Sequence, residues 1–186
     1  MQGKAVFMSA PARSAAPGTR AAARWYRWLA VSLAVIVADV ATKQAMLAFF
    51  TPGEEKVILP FFSLVLAFNP GAAFSFLADA AGWQRWFFTG VALIASVVIV
   101  WLLRRGGNTL FCLGLALILG GALGNVWDRI AIGQVVDFLL FHWRGWAYPA
   151  FNVADSAITV GAVLLILDSF RQRRPESGPD MRAEER

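Results

Sequence analysis

The chain has 186 residues, 58% of them hydrophobic and 16% charged, with a mean hydropathy of +0.58. Soluble globular domains carry roughly 25% charged residues, so this balance excludes a soluble fold and points to an integral membrane protein. The formal net charge of +5 is carried largely at the edges of apolar segments, where cations meet anionic lipid heads. No basic patch interleaved with aromatic residues suggests a nucleic-acid partner.

Residues 1–24, rich in Ala, Arg, Pro and Ser, read as a disordered arm. They contain no short apolar core followed by a small-residue cleavage site, so the first apolar segment is expected to be retained as an anchor. A helix needs roughly 20 apolar residues to cross a hydrocarbon core of about 30 Å. Four segments meet that requirement: residues 28–49, 86–103, 109–127 and 149–170.

The loops between them alternate in charge. Arg13, Arg20, Arg24 and Arg27 precede the first span, Arg104 and Arg105 separate the second from the third, and Arg171, Arg173 and Arg174 follow the fourth. Basic residues concentrate on the cytoplasmic side of membrane proteins, which predicts two cytoplasmic termini and places loops 50–85 and 128–148 outside. The expected organisation is the arm (1–24), a membrane domain (25–170) and a basic cytoplasmic tail (171–186).

The outer loops carry structure of their own. "KVILPFFSLVLAFNPGAAFSF" mixes β-branched and aromatic residues with Pro60, Pro70 and Gly71, and "QVVDFLL" (134–140) has the same character, predicting short strands and turns. These segments are expected to form a small sheet against the outer membrane face. Trp83, Trp86, Trp127, Trp143 and Trp146 fall near the outer span ends, where amphipathic rings prefer to sit. The fold class predicted is an all-α membrane protein of four transmembrane helices with a small extracytoplasmic β-sheet cradle.

Polar residues at membrane depth are costly and normally have a reason. Asp39 and Lys43, four residues apart on one helix face, read as a structural ion pair. Asn125, Asp128 and Arg129 share a face at the outer end of the third span, as a helix-end network or a substrate site. Gly120 and Gly124 allow a neighbouring helix to approach closely. Asn69, before Pro70 and Gly71, is first of all a turn former. Cys112 is the sole cysteine and is expected to pack in the third span; His142 reads as a surface or structural residue. With no Cys/His cluster, neither a metal nor another cofactor is expected.

Asp137 and Asp155 remain, one in an extended apolar run and the other near the outer end of the fourth span, with no evident local cation. Singly, one is a solvated loop residue and the other a first-turn carboxylate favoured by the helix dipole. Together they suggest a pair that shares one proton and activates water, because two neighbouring carboxylates do not readily ionise together. Spacing alone does not show that they meet. A transporter with Asp39, Lys43, Asp137 and Asp155 along an ion path would spread polar residues through the membrane, whereas here they gather on the outer side. A scaffold without chemistry leaves both aspartates unexplained.

The blocks "DVATK", "NPGAAF", "GGALGNVWDR", "VVDF" and "FNVADSAI" occur in this order between Asp39 and Ile158, and with four spans the chain resembles the lipoprotein signal peptidase (signal peptidase II) family. The resemblance implies a membrane aspartyl endopeptidase. Such an enzyme removes the signal peptide from prolipoproteins just before a cysteine that already carries diacylglycerol. It further implies Asp137 and Asp155 as the catalytic dyad, oriented by Asn152. Asn69, Asn125 and Arg129 would line the substrate site, Asp128 would support the arginine, and Asp39 and Lys43 would be architectural. The partners implied are lipid-modified prolipoproteins and membrane lipid, with no nucleic acid, for a monomer in a bacterial cytoplasmic (inner) membrane whose active site faces outward.

Overall fold

The structure, a computed structural model, describes residues 25–71 and 82–172. The predicted arm, nearly all of the basic tail and the second half of the "NPGAAF" block lie outside the described residues. Among the described residues there are four long helices: α1 (Tyr26–Phe49), α2 (Trp83–Arg105), α3 (Thr109–Ala131) and α4 (Val153–Gln172). Each is long and apolar enough to cross a membrane, with mean hydropathies of 1.5, 2.4, 1.9 and 1.8 in chain order. Four such helices are the framework of a multi-pass membrane protein.

Helix α3 is the hub. Within its most apolar stretch 61% of residues are buried, against 22%, 22% and 17% for α1, α2 and α4, whose outer faces are left for lipid. Small residues make this possible. A Cβ on Gly120 would lie 2.7 Å from both Ser32 O and Val35 Cβ of α1, and one on Gly124 would lie 2.7 Å from Asp39 Oδ2. The two backbones therefore approach more closely than any side chain at these positions would allow. Ser32 Oγ fastens the contact by donating to Ala116 O at 2.8 Å. Ile99, Leu103, Cys112, Leu115 and Leu119 form the core between α2 and α3, so Cys112 packs where the sequence suggested.

The opposite end of the bundle carries the sheet: β1 (Glu55–Leu59), β2 (Phe62–Asn69), β3 (Val135–Trp143) and β4 (Trp146–Ala147), antiparallel in that spatial order. The first two strands come from the α1–α2 connection and the last two from the α3–α4 connection. One sheet thus gathers both loops over one end of the helices. Ala67 pairs with Asp137 and Asn69 with Val135 across β2 and β3, with an irregularity in register between Leu64 and Ala67. Trp83, Trp86, Trp127, Trp143 and Trp146 are all exposed, as an interfacial belt requires.

The elements depart from the predicted bounds in instructive places. Strand β3 runs on to Trp143 and turns through Arg144 and Gly145, both at positive φ, into the unforeseen β4. Helix α3 continues a turn beyond 127, so Asn125, Asp128 and Arg129 all lie within it. Helix α4 begins at Val153, not near 149, because Phe151 bonds to the backbone of β3: its carbonyl accepts from Phe138 N and Leu139 N, and its N–H donates to Leu139 O. The chain leaves the sheet and enters the helix within two residues.

Candidate active site

Residues 152–155 join the sheet to α4 and set the geometry of the site. Asn152 precedes the helix, and its Oδ1 accepts from Asp155 N at 2.9 Å. In return, Asp155 Oδ2 accepts from Asn152 N at 3.4 Å. This reciprocal arrangement is a capping box, which satisfies two amides at the helix start. A third, Ala154 N, donates to Asp39 Oδ1 of α1 at 2.9 Å.

The fully buried Asn152 amide then points the other way. Its Nδ2 lies 2.8 Å from Asp137 Oδ1, 3.1 Å from Val136 O and 3.2 Å from Asn125 Oδ1. Asp137 and Asp155, 18 residues apart in sequence and on different elements, are therefore held by the same asparagine. Asp137 is buried in the middle of β3, while Asp155 is half-buried and borders a cavity of about 370 Å³ lined also by Phe141, Tyr148, Phe151, Ser156 and Thr159.

The strand register brings in Asn69. It pairs with Val135, diagonally next to Asp137 on the same sheet face, and its Nδ2 donates to Asp137 Oδ2 at 3.1 Å. Its Oδ1 accepts from Gly71 N at 2.9 Å, so the side chain forms the expected turn and reaches the aspartate at once. From α3, Asn125 Nδ2 donates to Asp155 Oδ1 at 2.7 Å. Burial, and next the Asp155 charge, push the Asp137 carboxyl up to about 7, against the opposing effects of the Asn69 hydrogen bond, the Lys43 cation and the Asn152 hydrogen bond. The arrangement joins a carboxyl able to hold a proton near neutral pH to a second carboxylate facing a cavity, which is the donor and acceptor set for activating water.

The profile of the signal peptidase (SPase) II family matches residues 31–171. The chain belongs to the signal peptidase II family. It is 60% identical over 148 residues to the lipoprotein signal peptidase of Ralstonia nicotianae, covering 79% of this chain and 86% of that one. The lipoprotein signal peptidase of Paraburkholderia phytofirmans is 56% identical over 167 residues, covering 89% and 94%. A solved bacterial membrane enzyme superposes with a TM-score of 0.72 at 27% identity, covering 83% of this chain and 93% of that one. The protein is thus a membrane peptidase of this family, with the four helices and small sheet that its apolar runs and loop segments predicted.

Other residues singled out in the sequence take defined places in this peptidase. Lys43 Nζ is 2.7 Å from Asp39 Oδ2, 2.9 Å from Asp128 Oδ2 and 3.0 Å from Asn125 Oδ1. The ion pair is therefore continuous with the aspartate site through Asn125. Asp128, expected to support the arginine, takes Lys43 and Val136 N (3.0 Å) as its direct partners, and its charge also acts on Arg129. Its carboxylate lies at a helix C-terminus, where the macrodipole disfavours it, and the Lys43 cation offsets that cost. Arg129 is half-buried with its guanidinium 5.5 Å from the Phe88 ring, and Nη1 donates to Asn125 O at 3.4 Å. His142 receives a structural partner, Ser63 Oγ at 2.8 Å.

One polar pair, an exposed asparagine and a buried aspartate, escaped the sequence reading. Asn108 caps α3 by accepting from Phe111 N at 3.0 Å, and its Nδ2 donates to Asp168 Oδ1 at 2.6 Å, tying α3 to α4 at the end remote from the sheet. The signal was an asparagine before an apolar run and an aspartate inside the last one.

Proposed function

We propose that Asp137 and Asp155 hydrolyse a peptide bond as a metal-free dyad. A water between the carboxylates gives a proton to Asp155 while its oxygen attacks the scissile carbonyl carbon, and Asp137 donates its proton to the carbonyl oxygen. Collapse of the tetrahedral intermediate breaks the C–N bond, the departing amine takes the proton from Asp155, and Asp137 recovers its own. Asn152 orients both carboxylates, Asn69 and Asn125 fix their outer oxygens, and Arg129 helps to receive the substrate backbone. The observation that carries the reading is Asn152 bonded to both aspartates.

The substrate class follows from the name shared by the relatives, lipoprotein signal peptidase. The substrate is a prolipoprotein with a diacylglyceryl-modified cysteine, cut immediately before that residue. Its signal helix lies in the bilayer, and the scissile bond emerges where the sheet meets the helix ends. The protein acts as a monomer in a bacterial cytoplasmic (inner) membrane, with this site on the extracytoplasmic face.

The test incubates purified protein with lipid-modified and unmodified precursor, each with and without EDTA, and follows signal-peptide release. Modified precursor should be cleaved in EDTA and unmodified precursor poorly. Asp137→Asn and Asp155→Asn should each lose on the order of 100-fold or more of the rate. Metal-dependent recovery after EDTA overturns the dyad, and equal cleavage of both precursors overturns the substrate.

A further inference from the structure

Helices α1 and α2 both pack on α3 but make little contact with each other, and the gap between them is a groove of about 560 Å³. Its walls include Leu93, Val97, Trp101 and Arg104 of α2, with Leu29 of α1 and Leu119 of α3. The α2 positions recur every three or four residues, so they form one stripe down the helix. From Leu93 to Arg104 the stripe is about 16 Å long at 1.5 Å per residue. That is about half of a 30 Å hydrocarbon core, the depth of a single leaflet.

The groove ends in cations. The Arg105 guanidinium lies 3.6 Å from the Trp101 ring centroid and that of Arg104 lies 5.8 Å from Trp25, so both are held at the mouth. Among the described residues neither has a carboxylate partner, since both ion pairs found there belong to Lys43. An apolar slot of one-leaflet depth, with two guanidinium groups at its polar end that have no carboxylate partner among the described residues, matches an acyl chain beneath an anionic phosphate head. A signal peptide fits it poorly, because the basic residues that precede its apolar core would meet Arg104 and Arg105.

We propose that this groove binds one anionic phospholipid, with an acyl chain between α1 and α2 and its phosphate on Arg104 and Arg105. The site is separate from the aspartates and does not depend on the proteolytic reading. It is tested by native mass spectrometry of the full chain released from micelles that contain phosphatidylglycerol or phosphatidylcholine with the same acyl chains.

Wild type should retain phosphatidylglycerol several-fold better. Arg104→Gln and Arg105→Gln should each reduce that preference about fivefold. Val97→Trp, which fills the slot from an exposed position, should reduce retention of both lipids; circular dichroism and gel filtration confirm that the variants are folded. Equal retention of the two lipids by wild type, or a preference that survives the double arginine variant, overturns the anionic headgroup site. Undiminished retention by folded Val97→Trp overturns the groove. A photocrosslinker at position 97 that captures a signal peptide in preference to lipid assigns the slot to substrate and also overturns the proposal.

Discussion

Lys43 Nζ donates to Asn125 Oδ1 at 3.0 Å, and Asn125 Nδ2 in turn donates to Asp155 Oδ1 at 2.7 Å. An ammonium group has no acceptor, so it dictates which end of the amide faces it and thereby presents the NH₂ to the aspartate. Removing the cation should do two things. Lys43→Met leaves Asp39 and Asp128 buried without their common partner and should cost about 3–5 kcal/mol of stability. It should also lower turnover per folded molecule, because Asn125 Oδ1 then keeps only the Asn152 amide as a donor and the Asn125 side chain is held less firmly against Asp155. Thermal unfolding and active-fraction kinetics in the same detergent check both, and unchanged turnover by the folded fraction contradicts the orienting role. Asp39→Asn, which keeps a partner for Ala154 N, should lower stability more than turnover.

Asn152→Ala removes the side-chain bonds to Asp155 N and Asp137 together. The lost cap should cost about 1 kcal/mol. If the asparagine positions the reacting pair and not the substrate, kcat should fall on the order of 100-fold with KM nearly unchanged. A rise in KM at constant kcat would place Asn152 in substrate binding instead.

The pH dependence has a definite sign. The folded protein holds the Asp137 carboxyl at about 7, above the ordinary carboxylate range, so between that range and pH 7 the folded state binds more protons than the unfolded one. This contribution to stability is complete at acid pH and is lost as pH rises towards 7. Asp137→Asn should therefore flatten the pH profile of unfolding and be more stable than wild type at pH 8. As pH rises through 7 the wild-type rate should decline, because the shared proton then leaves the dyad. Unfolding profiles of the two proteins that run parallel from pH 4 to 8 would show that Asp137 titrates normally.

Gly124 faces Asp39 Oδ2 so closely that a methyl group would lie 2.7 Å from it. Gly124→Ala should push α1 away from α3 and cost about 1–3 kcal/mol, read as a lower unfolding midpoint. The loss should be smaller in an Asp39→Ala background, where the carboxylate is gone, so the paired variants distinguish a clash from a loss of glycine flexibility.

Orientation in the membrane is checked by labelling single cysteines in a Cys112→Ala background with an impermeant reagent in intact cells. A cysteine at Arg144 in the β3–β4 turn should label from outside and one at Arg104 should not. Labelling at 104 from outside overturns two cytoplasmic ends.

The four spans, strands β1 to β3 and the tryptophan belt were determined by the sequence alone, because each rests on a local quantity: the length of an apolar run, its flanking charge, or a β-branched and aromatic stretch broken by Pro and Gly. The ordered blocks also identified the family and singled out Asp137 and Asp155. What pattern reading left open was their meeting. Asp137 reaches Asn152 only because α3 and β3 turn the chain back upon α4, and Asn69 reaches Asp137 only because β2 pairs with β3 in one register. The i,i+4 spacing of Asp39 and Lys43 was legible, but not that Lys43 also meets Asp128 and Asn125 on another helix. Spacing fixes which neighbours share a helix face, whereas partners 82 or more residues away are chosen by helix packing, which here depends on glycines whose contacts appear only once the helices are side by side.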